Sequence, residues 1–499
     1  MSDLLRILGP IIILNAGALS IFLFSAGSSS TWRRVLPAFT FAVLLIALIV
    51  GSASQGSYIN GGEIFYKDGS LRLTSLSVIA AYVSLIIGMV LVLVSWYPDR
   101  YGVGKDKDQP SSSPASPSIA AEYFALMLIS LSGLLLATVA HNLVVLFLSL
   151  EMVSIPTYAM VALSRVRAQA KEAALKYFFL GALAAAIMVY GFSFLYGLAG
   201  TLQLDKIGEA LAQNPSNLYI LVLVLVIVGL CFKIAAVPMH FYAADVYQGA
   251  ACPMTALLAF LPKFAGFYVL LLIIDSIVQP LMDINSQITA GLLWVLAAAT
   301  MIVGNVLALV QRNVKRILAY SSITHSGYIM LALLAWPYQQ TSAQAAVIFY
   351  ICVYGFATLG AFAILALMEI RGDEAQMLTD LTGMGRRHPA LAAGLTICVF
   401  SLAGMPLTGG FMGKFYVFSA LASSTALSQT WIITLFIIGL VNIPIAAGYY
   451  LRIIAACYLD DGEFIPEINT TQPQIAGIIV ATAVTVILGI TPSLLLNSL

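Results

Sequence analysis

Apolar residues run through this chain in blocks of about twenty, separated by short polar stretches. Wound as a helix, a block of that length spans a hydrocarbon core about 30 Å thick. Fourteen such blocks are predicted: 8–26, 35–53, 74–97, 119–140, 143–163, 173–199, 217–237, 253–277, 288–310, 315–335, 343–370, 389–424, 429–458 and 473–496. His141-Asn142 marks the turn within the nearly continuous run 119–163. The longest polar stretch, 99–118, reads as an unstructured Ser/Pro linker of mixed charge. Residues 371–388 and the acidic stretch 459–472, with Asp460, Asp461, Glu463 and Glu467, read as loops. The fold class is therefore an all-α polytopic membrane protein.

Two blocks are interrupted. The seventh, LYILVLVLVIVGLCFK, ends on Lys233 and passes into a polar break with Pro238, His240, Asp245 and Gly249. The block after it carries Lys263 in its middle. The twelfth runs to Met405-Pro406 and resumes as LTGGFMGKFYVFSALA, with Lys414. Broken backbone at membrane depth is tolerated where it is buried in protein or lines a polar path. Paired interruptions point to a repeated transporter fold. The expected repeats are helices 4–8 (119–277) and 9–13 (288–458), and because five is odd the second copy is inverted. Residues 1–118 hold three preceding helices and the linker, and 459–499 a last loop and helix.

Composition places nearly all of the chain in the bilayer. It is 61% hydrophobic and 9% charged, against about 25% charged for soluble domains. A net charge of +1 offers nothing to nucleic acid. Basic residues are placed asymmetrically. Loops after odd-numbered helices hold fourteen, from Arg33 and Arg34 through Arg165, Lys315 and Arg316 to Arg386 and Arg387, while loops after even-numbered helices hold Lys67, Arg72 and Lys206. By the positive-inside rule the odd-numbered loops face the cytoplasm and both termini the other side. The first 26 residues lack a small-residue cleavage site and read as a retained helix. The cysteines Cys231, Cys252, Cys352, Cys398 and Cys457 have neither CxxC nor zinc spacing and read as small buried hydrophobes.

The candidate chemistry lies in the few ionisable residues at membrane depth. An ionisable group there is costly and is by default a functional candidate. Glu151, Lys233, Lys263 and Lys414 form the leading set. Burial disfavours a charged amine and a nearby carboxylate restores it. An amine alternating between paired and unpaired states takes up and releases a proton near neutral pH. Moving one charge through 100 mV involves about 2.3 kcal/mol, and one pKa unit is about 1.4 kcal/mol, so the two effects are of comparable size. The bland alternative for each lysine is a structural ion pair or a snorkelling side chain. His240, beside the first break, and His325, within YSSITHSGY, are bridging candidates or else buried hydrogen-bonded histidines. Lys176, four residues from Glu172, suits a relay or an interfacial salt bridge. Arg452 suits anchoring, and His141 and His388 read as ordinary loop-edge residues. Ser321, Ser322, Thr324, Thr408, Tyr320 and Tyr328 offer hydroxyls either for ordering water or for packing. No GxGxxG, Walker loop, cysteine cluster or haem-spaced histidine pair is present.

These stretches resemble a known family, the antiporter-like membrane subunits of respiratory complex I and the related Mrp-type cation/proton antiporters. The resemblance rests on HNLVVLFLSLEMVSIPTYAM (141–160), EAALKYFFLGA (172–182), FKIAAVPMHFYAADVYQGA (232–250), NVKRILAYSSITHSGY (313–328) and GMGRRHPALAAGLTICVFSLAGMPLTGGFMGKFY (383–416). GKFY (413–416) and YYLRI (449–453) look like the branch that carries a lysine rather than an acid in its twelfth helix and has fourteen helices without a long lateral one. The resemblance implies that Glu151 and Lys233 form the charged pair of one half-channel. Lys263 would be the central relay, and His325 would connect it to Lys414 toward the exit. Two departures fall at helices 7 and 8: HFYAADVY stands where the family often has HxWTPDVY, and Pro262 directly precedes Lys263.

The resulting expectation is a proton-translocating subunit of an NADH–quinone oxidoreductase with no cofactor of its own. FMN, iron–sulfur clusters and quinone would belong to or contact partner subunits. The expected partners are other complex I membrane subunits, including other antiporter-like ones, in a bacterial inner membrane. A Mrp-type sodium/proton antiporter subunit and a non-pumping scaffold are the alternatives.

Overall fold

The protein is described from a computed structural model covering residues 3–25, 30–59, 61–66, 69–96, 117–165, 168–214, 218–335, 340–370, 373–424, 428–459, 467–468 and 470–499. The 99–118 linker, Lys67, Arg100, Lys105, Lys107, Arg167, Arg371, Asp460, Asp461 and Glu463 fall largely or wholly outside those residues. The helices of the first half are α1 (Asp3–Ser25), α2 (Ser30–Gln55), α3 (Ser75–Val94), α4 (Pro117–Val139), α5 (Leu143–Leu163), α6 (Ala168–Ala199), α7 (Leu204–Gln213), α8 (Leu218–Lys233), α9 (Ala243–Gly249) and α10 (Cys252–Ile273). Those of the second are α11 (Met282–Val310), α12 (Val314–Ala335), α13 (Gln340–Leu367), α14 (Met384–Arg387), α15 (Pro389–Ala403), α16 (Gly409–Ala422), α17 (Gln429–Tyr458), α18 (Gln472–Ile490) and α19 (Ser493–Leu496).

Among the described residues, twelve helices are long and apolar enough to cross a membrane. Two shorter apolar helices, α8 in the seventh sequence block and α15 in the twelfth, each stop at a break and are followed beyond it by a further helix, α9 and α16. This is a multi-pass integral membrane protein with the expected polytopic helical fold. The turn at His141-Asn142 separates α4 from α5, and the Asn142 side chain accepts from the Val144 amide at 2.9 Å, capping α5.

Three local readings differ from the pattern. The loop carrying Lys206 contains α7, whose Leu204, Ile207 and Leu211 are buried, so ten residues form an amphipathic helix too short to register as an apolar block. The chain is not purely helical. β1 (Ile64–Phe65) pairs with β2 (Arg72–Leu73). β3 (Met368–Ile370) pairs with β4 (Asp373–Glu374) and β5 (Glu467–Ile468). These two- and three-residue strands lie below the length at which alternation is visible. The eleventh block accordingly leaves its helix at Leu367 rather than 370.

Burial grades from centre to rim. α10, α12 and α13 are almost wholly enclosed, whereas α1, α6, α17 and α18 expose broad apolar faces. Such faces suit lipid or neighbouring subunits, because a membrane helix gains nothing from hiding apolar surface from hydrocarbon. The enclosed helices are those that carry Lys263 and His325.

Candidate functional site

Both breaks are held open by their local sequence. α8 stops at Lys233, and the Ala235 and Ala236 amides fold back onto the Phe232 and Cys231 carbonyls, at 3.1 and 2.8 Å. Ala235 adopts φ +53°, a left-handed conformation unfavourable for a residue with a Cβ. α15 ends at Gly404, φ +86°, whose amide bonds the Phe400 and Ser401 carbonyls while Met405 also bonds Phe400. Glycine suits this φ, and a Cβ at Gly404 would lie 2.9 Å from the Lys414 Cδ and Nζ and displace the end of that side chain. Leu407, in the same break, has φ +68°.

Each buried amine has a different kind of partner. Lys233 Nζ donates to Glu151 Oε1 at 2.8 Å and to Ser154 Oγ at 2.6 Å, the two partners lying nearly one turn apart on α5. Lys263, 3% exposed, donates to the Ser322 carbonyl and, at 2.8 Å, to Ser326 Oγ. Its Nζ also sits 5.4 Å from the Tyr354 ring centre, within cation–π range. Among the described residues no carboxylate pairs with Lys263. Lys414 donates to the carbonyls of Leu402 at 3.2 Å and Ala403 at 2.7 Å, with the Tyr328 ring 5.1 Å away.

These groups form a contiguous row. Gly266, one turn past Lys263, allows α10 to approach the first break so closely that an added Cβ would lie 3.1 Å from Lys233 Cβ. Ser326 takes the Lys263 hydrogen bond and passes its own to the Ile234 carbonyl, at 2.5 Å, beside Lys233. Tyr354 lies between Lys263 and His325, the two ring centres 5.0 Å apart. His325 meets the Tyr350 hydroxyl at 2.8 Å through Nδ1 and the Tyr450 hydroxyl at 3.1 Å through Nε2. Tyr350 in turn packs on Gly413, next to Lys414. The sequence runs Glu151, Lys233, Lys263, His325, Lys414 without leaving buried polar or aromatic groups.

Two candidates stand off this row. His240 is buried in the first break, with its ring centre 4.4 Å from that of Phe241 and its Nδ1 without a hydrogen-bond partner among the described residues. Lys176 bridges Glu172 at 2.9 Å and Asp245 at 3.0 Å, with its side chain 45% exposed, which is the geometry of an interfacial ion pair. Arg452 anchors the end of α11 through the Leu309 and Gln311 carbonyls. His141 is not an ordinary loop residue: it is buried and bonds Asp205 at 2.9 Å, because α7 folds back over it. The five cysteines are free and buried. Among the described residues no three His, Cys, Asp or Glu side chains gather as a metal site.

Several participants escaped the sequence reading. Ser326, Tyr350, Tyr354 and Tyr450 lie in apolar helices where hydroxyls are common and only tertiary packing selects which ones matter. Asp245 joins Arg316 at 2.7 Å as well as Lys176, and the DVY and VKR stretches were visible without revealing that they meet. Glu374 joins Lys315 at 2.8 Å and also Arg165, with no sequence signal at all.

Comparison with known proteins identifies the family and the fold. Residues 140–441 match the family described as NADH:quinone oxidoreductase/Mrp antiporter, transmembrane. The chain is 34% identical over 499 residues to NADH-quinone oxidoreductase subunit N 1 of Solibacter usitatus, covering 99% of this chain and 96% of that one. It is 38% identical over 436 residues to subunit N 2 of Roseiflexus castenholzii, covering 85% and 82%. Among solved structures it is similar to a chain of respiratory complex I from Thermus thermophilus, with a TM-score of 0.77, 29% identity and 98% of both chains covered. A chain of the Mrp complex from Dietzia shares the fold, with a TM-score of 0.82 at 19% identity over 100% of this chain and 96% of that one.

Proposed function

The chain belongs to the NADH:quinone oxidoreductase/Mrp antiporter family, and from that premise we propose that it is the subunit N-type, proton-translocating membrane subunit of an NADH–quinone oxidoreductase. Electron transfer from NADH to quinone takes place in partner subunits that carry FMN and iron–sulfur clusters. This chain moves protons in response, next to other antiporter-like subunits. Supporting the reading is one observation: three buried amines, Lys233, Lys263 and Lys414, lie in one row, held respectively by a carboxylate and a hydroxyl, by a hydroxyl and a carbonyl, and by the carbonyls of a helix end.

The physical device is a change of pairing. With Glu151 in contact, Lys233 keeps its proton. When the carboxylate moves away, the uncompensated charge is costly and the proton passes along the row. Ser326 and the Ile234 carbonyl link the first break to Lys263, and the tyrosine-flanked His325 links Lys263 to Lys414. A disturbance of one or two pKa units, about 1.4 kcal/mol each, matches the work of moving a charge through a membrane potential. The two breaks lie five passages apart, which supports two inverted five-helix repeats, 119–277 and 288–458. The basic asymmetry supports odd-numbered loops on the cytoplasmic side of a bacterial inner membrane, with both termini opposite.

The test is proton translocation in proteoliposomes by the assembled complex carrying Lys233→Ala or Lys263→Ala. Both are expected to lower the protons moved per NADH oxidised while assembly persists. Wild-type stoichiometry in both would exclude the relay and leave a scaffold.

A further inference from the structure

Away from the row, one buried carboxylate holds four segments together. Glu374, on β4, accepts from Lys315 Nζ at 2.8 Å, from the Arg165 guanidinium, and from the Cys252 amide at 3.0 and 3.1 Å. The Lys315 side chain is fully buried, and its Nζ also donates to the Ala250 carbonyl at 3.0 Å. Cys252 opens α10, and no side-chain cap comes from the preceding Ala251. Glu374 therefore acts as that helix's N-terminal cap from a distant loop, where a negative charge is favoured. Arg316, next to Lys315, grips Asp245 and Gln248 of α9 at 2.7 and 3.0 Å. The first turn of α12 thus holds the whole segment from the half-helix after the first break to the start of α10.

The spacing ties this clasp to the relay. Lys263 follows Cys252 by eleven residues on α10, and Ser326 follows Lys315 by eleven on α12. At 1.5 Å per residue, both intervals are about 16 Å. The clasp and the Lys263–Ser326 hydrogen bond are thus two rungs between the same two helices, at matched heights. Slippage at one rung is carried by rigid helices to the other.

We propose that Glu374 is a positioning residue for Lys263, setting the register of α10 against α12 and with it the bonds from Lys263 to Ser322 and Ser326. This rests on the reading of Lys263 as a relay. Glu374 carries no proton itself. Burial pushes its carboxyl up, but Lys315 and Arg165 outweigh that and hold it at about 2, so it stays ionised at working pH.

The experiment compares Glu374→Gln and Glu374→Asp in the complete complex, reading protons per NADH and the pH profile of pumping. Lys263→Ala serves as the control. Glu374→Gln is expected to lower the stoichiometry two- to fivefold and displace the pH profile, and Glu374→Asp, which keeps the charge but is one methylene too short for the same register, is expected to recover about half of the loss and to keep a smaller displacement of the profile. In a Ser326→Ala background, adding Glu374→Gln should displace the profile less than it does alone, since the Ser326 bond is already gone and only the one to the Ser322 carbonyl is left to shift. If Glu374→Gln does not assemble, Glu374→Asp decides: a displaced profile supports the proposal and a wild-type profile overturns it. A wild-type profile in an assembled Glu374→Gln complex, or effects additive with Ser326→Ala, also overturns it. Wild-type pumping by Lys263→Ala would instead remove the relay reading on which it depends.

Discussion

Lys414 donates to the Ala403 carbonyl at 2.7 Å, across the break of the twelfth passage. That carbonyl is among the last of α15, where the helix dipole places about half a negative charge. At the other end of the row Lys233 faces a full carboxylate, Glu151, at 2.8 Å. One end is thus compensated by a charge that can be switched, the other by a fixed helix terminus. The two ends should respond differently to substitution.

Breaking a buried ion pair by removing one partner costs about 3–5 kcal/mol, whereas removing both can be nearly neutral. Glu151→Gln and Lys233→Met should each lower the thermal stability of the complex more than the double variant does. All three should lose pumping. Thermal unfolding in detergent measures the cycle, and a double variant less stable than both single ones would contradict a direct pair.

At Lys414 the helix terminus accepts any cation. Lys414→Arg keeps charge and donors but cannot release a proton. The complex should assemble normally and pump at least about tenfold more slowly, since one tenfold step in rate is only about 1.4 kcal/mol. Normal pumping by this variant would mean that Lys414 acts as a fixed charge.

Lys176 tests the opposite case. Its bridges to Glu172 and Asp245 are half-exposed, and such pairs contribute about 0–1 kcal/mol. Lys176→Ala should therefore leave pumping stoichiometry near wild type. A loss as deep as that of Lys233→Ala would place Lys176 on the proton path.

The passages, both breaks and four of the five groups in the row were legible because each is a local departure from apolar monotony. Lys233, Lys263 and Lys414 are visible because an amine in a twenty-residue apolar block has few structural excuses, and Glu151 stands out directly after the apolar run that ends LSL. His325 needed the resemblance to place it between Lys263 and Lys414. What stayed illegible is pairing across distance. Nothing near Glu374 says that it caps a helix more than a hundred residues earlier, and nothing near Tyr450 says that it reaches His325. α7 and the short strands were missed because elements under about ten residues carry too few positions for periodicity.

The Glu374 clasp has a defined pH dependence. Its carboxyl lies below the ordinary 4.5, at about 2, because Lys315 and Arg165 outweigh the burial that raises it. A depressed carboxylate stabilises in full above its unfolded value and loses that contribution as pH falls through the folded one. The stability difference between wild type and Glu374→Gln should be constant from about pH 5 to 9 and shrink only between pH 4.5 and 2. A difference that varied near neutrality would mean another titrating group governs the clasp.

His325 is held by two phenols, Tyr350 on Nδ1 at 2.8 Å and Tyr450 on Nε2 at 3.1 Å. A neutral imidazole has one donor and one acceptor nitrogen, so one phenol accepts and the other donates. Passing a proton through the ring exchanges those roles, which both hydroxyls permit by rotation. Tyr350→Phe or Tyr450→Phe leaves one nitrogen without its partner and should slow pumping severalfold. The double variant should slow it by more than either, approaching His325→Ala, with electron transfer to quinone retained. The measurement is the pumping rate of the assembled complex at matched NADH oxidation. A double phenylalanine variant that pumps at the wild-type rate would show that the proton reaches Lys414 without passing His325.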